Sequence, residues 1–327
     1  MPGSETGRRQ RQTCWEQAIW WATITLVKRR DGDTELAAAR VMVIGAAVLF
    51  STGGAAIKAC SLSGWQVASF RSGIAFIAVL LMVPAARRGW SRKTLAVAVA
   101  YAATLILYVL ANKLTTAANT IFLQDTAPLY ILALGPWLLN EKIRGRDLGF
   151  MVLFGAGMAL FFVGAQPRFA TAPSPLQGNL LAVTAGAFWA LTLIGLRWLG
   201  KSGSGSAGAS AAAVALGNLV AFAVTLPMAL PVRGATATDW AVVLFLGVIQ
   251  IGLAYVLLTH GVGHVPALEA SLLLLVEPVL NPVWAWLVHG EHPGAWSLLG
   301  GVVILGTTAF KTLADQRPTR RLPNQTR

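Results

Sequence analysis

Apolar stretches of about 20 residues follow one another almost without pause from residue 38 to residue 313. Coiled as a helix, a stretch of that length matches the roughly 30 Å hydrocarbon core of a bilayer. In lipid every backbone N–H and C=O needs a partner inside the protein, so such a chain is held to helices. Ten spans are expected, near 38–57, 64–84, 92–112, 117–139, 147–165, 178–199, 209–230, 239–261, 266–289 and 294–313. The loops between them are short, so sequential spans should pack antiparallel. Only 12% of the residues are charged, about half the usual share of a soluble domain. The expected fold class is an all-α integral membrane protein with ten transmembrane helices.

One phrase occurs twice. Residues 117–143 read AANTIFLQDTAPLYILALGPWLLNEKI, and residues 267–293 read ALEASLLLLVEPVLNPVWAWLVHGEHP. Ala117 matches Ala267, Pro128 matches Pro278 and Glu141 matches Glu291, each 150 positions on. Self-similarity at that distance indicates a duplicated membrane unit. The segment Gln166 to Asn179, with three prolines, divides the spans five and five. The expected organisation is a cytoplasmic extension at 1–37, a first repeat at 38–165, an external linker at 166–177, a second repeat at 178–313 and a cytoplasmic tail at 314–327. Within the extension, the apolar stretch Ala18 to Val27 is too short to span a bilayer. No small-residue cleavage site follows it, so it does not read as a signal peptide.

Charge placement orients the helices. Lys28, Arg29, Arg30 and Arg40 flank the first span; Arg87, Arg88, Arg92 and Lys93 follow the second; Lys142, Arg144 and Arg146 follow the fourth. Arg197 and Lys201 follow the sixth, and Lys311, Arg317, Arg320 and Arg321 end the chain, whereas the alternate loops hold Lys113, Arg168 and Arg233 singly. Both termini should therefore face the cytoplasm, with the protein multi-pass in the inner (plasma) membrane. An odd number of spans per half then gives the two repeats opposite orientation, with the Glu141 corner inside and the Glu291 corner outside.

The same placement explains the net charge of +13 without a nucleic-acid partner. Cys14 and Cys60 are too few for a disulfide framework. His260 and His264 lack a third ligand, so neither a metal nor another cofactor is expected. GKSGSGSAGAS, from Gly200 to Ser210, lacks the spacing of a phosphate loop and reads as a flexible connector. A membrane enzyme acting on a lipid is the alternative class, but it needs a polar catalytic cluster at one face, and the sequence offers none. A channel would need charged rings or a filter-like loop.

The phrases AAN…APLY…LLNEKI and ALEASLLLLVEPVLNPVWAWLVHGE resemble those of EamA-type transporters of the drug/metabolite transporter superfamily. The resemblance covers roughly residues 40–313. It implies two five-helix halves, each closing its fourth helix with Gly-Glu; here Gly290-Glu291 keeps that pair and Asn140-Glu141 departs from it. It also implies a secondary transporter that exports small metabolites, such as amino acids and related amphiphiles, or drugs. The partners implied are a small-molecule substrate and the lipid bilayer; monomer and homodimer both remain open.

Polar residues inside spans are the candidates for chemistry, because they are costly there and face the bundle interior. Glu277 stands directly before Pro278 and shares a helical face with Asn281 and Trp284. It reads as a substrate or proton site, or else as a structural carboxylate. Gln124 and Asp125 lie one turn before Pro128; Asp125 is either a proton carrier or a partner for Arg71. Arg71, in span two, reads as half of an ion pair or as the holder of a substrate carboxylate, which its planar fork matches. Lys58 ends span one. Glu269, the counterpart of Asn119, reads as a gate or helix cap. The resemblance implies a central cavity lined by spans one, three, four, six, eight and nine, which would bring in Tyr101, Tyr108, Trp189, Tyr255 and Gln250. Trp65, Trp137 and Trp240 read as interfacial anchors. Gly149, Gly155 and Gly157 in span five, with Gly300, Gly301 and Gly306 in span ten, suit close helix packing.

Overall fold

The computed structural model describes residues 35–138, 144–163, 170–200, 206–262 and 264–315. The stretch Ala18 to Val27, Glu141 and residues 201–205 of the connector lie outside the described residues. The described chain is all-helical. We number its segments α1 (Glu35–Ala59), α2 (Gly64–Met82), α3 (Arg92–Leu114), α4 (halves Ala117–Gln124 and Ala127–Leu138) and α5 (Gly145–Leu160). Then come α6 (Pro175–Gly200), α7 (Ser206–Ala229), α8 (Ala237–Val262), α9 (halves Ala267–Leu274 and Val276–His289) and α10 (Ala295–Asp315). Among the described residues, eight helices are long and apolar enough to cross a membrane. The exceptions are α4, divided at Asp125, and α5, with 16 residues.

The starts follow from the sequence. Ser63 and Gln66 form a capping box on α2, and Thr236 and Asp239 form one on α8. Ser91 and Thr116 accept from the first-turn amides of α3 and α4. Each satisfies donors that a helix start leaves free.

The breaks in α4 and α9 have a common cause. A proline lacks an N–H, and its ring crowds the carbonyl four residues earlier. Pro128 and Pro278 act in this way on Gln124 and Leu274. The chain yields at Asp125–Thr126 and at Leu275, where the amides of Thr126 and Leu275 bond back only three residues, to Leu123 and Leu272. Side chains next to these breaks leave the helical register and turn toward the middle of the bundle.

In the bundle, α2 packs on α7, α5 on α10 and α4 on α9. Helix α3 lies against α6 and α7, α8 against α2, α4 against α6, and α9 against α1. Glycine allows the closest approaches. A Cβ on Gly54 would lie 2.5 Å from Asn281 Oδ1, and one on Gly186 would lie 3.0 Å from the carbonyls of Leu123 and Gln124 at the α4 break. Gly157, Gly300 and Gly301 serve the α5–α10 contact and its neighbours as expected. Gly149, Gly155 and Gly306 do not: each faces open space, with nothing within 4 Å of a Cβ. The outer surface is apolar, with Val41, Val152, Leu287 and Val302 exposed. Trp65, Trp137 and Trp240 also point outward.

Candidate functional site

Two ion pairs join α1 to α9, one near each end. Arg40 grips Glu269 at the start of both helices, with both side chains partly exposed. Lys58 Nζ lies 2.9 Å from Glu291 Oε1 at the other end, with both side chains almost fully buried. Eighteen residues of α1 separate Arg40 from Lys58, about 27 Å of helix, close to the thickness of a hydrocarbon core.

The Lys58–Glu291 pair is completely satisfied. The ammonium also donates to the carbonyls of Asn112, Thr115 and Thr171, at 2.6, 2.7 and 2.7 Å. The carboxylate accepts from the Ala117 amide at the start of α4 and from the Thr171 hydroxyl. Beside it, Asn179 accepts from Thr115 and Asn119 and donates to the Phe161 carbonyl. Gly290 makes this possible. It ends α9 in the left-handed region at φ +65°, which a residue with a Cβ enters at a cost. The turn aims Glu291 back under the bundle.

Midway between the two pairs lies a cavity of about 420 Å³. It is bounded by α1, α2, α3, α4, α6, α8, α9 and α10. Phe50, Tyr101, Tyr108, Trp189 and Tyr255 give it five aromatic wall residues. The Tyr255 hydroxyl donates to the Tyr101 hydroxyl at 2.9 Å. Tyr101 meets Trp189 at a ring separation of 6.4 Å, and Phe50 meets Tyr255 edge-on at 5.4 Å. Both α4 and α9 present their breaks here, so Gln124, Asp125 and Glu277 line the cavity.

The charged groups here are unsatisfied. Arg71 is 2% exposed, its Nε has no hydrogen-bond partner, and Nη2 reaches only the Leu105 carbonyl at 3.5 Å. Among the described residues, neither the Asp125 nor the Glu277 side chain forms an ion pair or a hydrogen bond, and the expected alternative of an Arg71–Asp125 pair is not formed. The side-chain oxygens of Gln124 and Gln250 are also buried without a donor.

Nine sequence candidates thus meet two fates. Arg71, Tyr101, Tyr108, Gln124, Asp125, Trp189, Tyr255 and Glu277 border one cavity. Asn281 sits one layer behind, fully buried, and donates to the Tyr108 hydroxyl at 3.2 Å. Trp284, expected on the same face as Glu277, turns to α1 and donates to the Ser51 hydroxyl. Gln250 reaches the wall through a stretch of π-helix, Phe245–Leu253, a form often found at functional sites. Phe50, Thr104, Ser271 and Thr308 are also on the wall, without having stood out in the sequence. Nothing sets Phe50 apart on an apolar helix, and the hydroxyls looked like ordinary helix residues. His260 and His264 bond to carbonyls one turn back, and no metal-binding group of acids, His and Cys occurs among the described residues.

A second cavity of about 500 Å³ shares Pro128, Ser271 and Thr308 with the first. Its rim carries Asp147, Arg197, Lys311 and Asp315. Asp315 holds Arg146 at 2.7 Å and also pairs with Lys311. The central cavity therefore leads to the end where α5 begins and α10 finishes.

The chain as a whole resembles known proteins. Residues 38–163 and 176–312 match the EamA-like transporter family. The chain belongs to that family. The pseudopaline exporter of Pseudomonas aeruginosa is 26% identical over 81% of this chain and 92% of its own length. An uncharacterised transporter of Bacillus subtilis, YetK, is 27% identical over 62% of each chain. A second from that organism, YdfC, is 39% identical over 22% of this chain and 23% of its own. A solved crystal structure covers 86% of this chain at 18% identity with a TM-score of 0.56, a likeness of fold. This EamA-family chain is a multi-pass membrane transporter rather than an enzyme.

Proposed function

We propose that the protein is a secondary transporter of the inner membrane that exports small amphiphilic metabolites, amino acids and their relatives among them, or drugs. The observation that carries this reading is the cavity midway along the bundle. Its charged groups have no counter-charge paired to them in the protein, as befits a site whose partner is the solute. Arg71, Tyr101, Tyr108, Gln124, Trp189, Tyr255 and Glu277 are the proposed contacts, with Asn281 holding Tyr108 in place. Glu277 and Asp125 are the proposed carriers of a proton exchanged for the solute.

Alternating access around this cavity is the proposed mechanism. The two stretches of family match correspond to the proposed five-helix halves, 38–165 and 178–313. Exchanging the halves maps helix neighbours onto one another: α4–α6 onto α9–α1, and α3–α7 onto α8–α2. That pairing favours ten spans in two inverted repeats, with α4 and α5 crossing as α9 and α10 do. The positive-inside rule then puts both termini in the cytoplasm. Arg146, Arg197 and Lys311 mark the cytoplasmic vestibule through which solute enters, and the Lys58–Glu291 pair closes the external side. The relative that is named an exporter supports the outward direction.

Reconstituted vesicles test this. Solute flux should depend on the protein and respond to an imposed pH gradient. Glu277→Gln should remove the response while the purified protein keeps its Tm. Flux indifferent to the gradient would remove the proton from the mechanism; no flux of any solute would remove the transporter reading.

A further inference from the structure

The balance of unsatisfied groups around the cavity describes the solute it fits. Arg71 can contribute one positive charge, and Asp125 and Glu277 contribute two negative ones when both are ionised. Arg71 comes from α2, beside Leu105 of α3, and the two carboxylates come from the breaks of α4 and α9. Tyr101 and Tyr108 lie within the influence of both Arg71 and Glu277. Behind the cavity surface, the buried oxygens of Gln124 and Gln250 lack a donor and the buried Arg71 Nε lacks an acceptor.

Resting on the transporter reading above, we propose that the transported solute carries one carboxylate and two cationic nitrogens, the carboxylate on Arg71 and the nitrogens on Asp125 and Glu277. Each ammonium offers three donors and no acceptor, which suits the two carboxylates. A solute of this pattern cancels every charge on the wall. A neutral amino acid leaves one carboxylate unmatched inside the membrane. A diamine leaves the guanidinium unmatched, and a dicarboxylate adds repulsion. Unmatched buried charge is costly, and a site built for a polar group discriminates strongly against analogues that lack it. A cavity of about 420 Å³ lies toward the small end of the roughly 300–1,000 Å³ typical of small-molecule sites. The aromatic walls would cover the hydrocarbon between the charged ends.

Vesicles containing the full chain, loaded in turn with lysine, norleucine, cadaverine or glutamate, test the pattern. Lysine has all three charges; norleucine lacks the second amine, cadaverine lacks the carboxylate, and glutamate reverses the balance. Lysine efflux should exceed each of the others by roughly tenfold or more. Glu277→Gln should bring lysine down to norleucine, and Arg71→Gln should bring it down to cadaverine, with the Tm of each variant confirming the fold. Norleucine, cadaverine or glutamate matching lysine would overturn the proposal. If none of the four moves, the same vesicles loaded with a cell extract decide by mass spectrometry. Released solutes with one carboxylate and two basic nitrogens uphold the pattern, and released solutes without it overturn it while leaving the transporter reading intact. Release of nothing overturns both.

Discussion

Lys58 with Glu291, and Arg71 with Asp125 and Glu277, are the same kinds of side chain in opposite conditions. At the closed end, each charge has a counter-charge and its remaining donors or acceptors are filled. In the cavity, a guanidinium and two carboxylates share a wall without pairing. Burial alone therefore does not separate a structural charge from a functional one; satisfaction does. A fully bonded pair locks helices together. An unbonded set costs stability that only a ligand can return.

The sharpest way to break this contrast is at the closed end. Glu291→Gln leaves Lys58 charged, buried and without its counter-ion, and removing one partner of such a pair costs about 3–5 kcal/mol. A large fall in Tm is expected, with poor yield. The double change Lys58→Met with Glu291→Gln should recover part of it, since no lone ammonium is then left. A single variant that melts within a degree or two of the parent would mean the pair is not structural.

The converse holds in the cavity. Asp125→Asn, Glu277→Gln and Arg71→Gln each remove a charge that has no counter-charge paired to it in the protein. Transport should fall roughly tenfold or more, while Tm without solute stays level or rises. Scanning calorimetry beside the flux assay separates the two effects. A cavity variant that melts like Glu291→Gln would place its charge in the scaffold instead.

Packing offers a smaller version of the same comparison. Gly54 has Asn281 Oδ1 2.5 Å from where a Cβ would stand, whereas Gly306 has nothing within 4 Å. Gly54→Ala should cost about 1–3 kcal/mol through overpacking and should also disturb transport, because Asn281 supports Tyr108. Gly306→Ala should be neutral or stabilising by up to about 1 kcal/mol, from helix propensity. Equal effects on Tm would undo the assignment of one glycine to packing and the other to the open face.

Much of this was legible in the sequence because the membrane removes alternatives. Once loops and strands are excluded, apolar length alone locates helices, and each expected span overlaps one. Intramembrane charge marked Arg71, Asp125 and Glu277, and the family resemblance brought in Tyr101, Tyr108, Trp189 and Tyr255. What escaped depends on contacts between distant segments. Lys58 and Glu291 are both visible, yet nothing local says that they meet. Asn281 and Glu277 share a helical face beyond the break, yet Glu277 lines the cavity while Asn281, one turn on, is buried against Tyr108 and Gly54. Half of the span-five and span-ten glycines face outward, since spacing does not reveal which face a neighbour occupies. The π-helix that brings Gln250 to the wall has no sequence signature beyond its apolar run.

The smallest expected effect is at the other α1–α9 pair. Arg40 and Glu269 have side chains 44% and 31% exposed, and exposed ion pairs contribute about 0.2–1 kcal/mol. Arg40→Gln should therefore shift Tm by a degree or two, and high salt should shrink even that difference. Its value lies in the opposition to Lys58→Met at the far end of the same helix. If the bundle opens at the Arg40 end while the Lys58 end stays closed, the weak pair belongs to the moving side. Arg40→Gln should then change the rate of solute entry more than it changes Tm. Entry rates unchanged, with Tm lowered as far as in Lys58→Met, would make the two ends equivalent and remove the asymmetry on which the direction of opening rests.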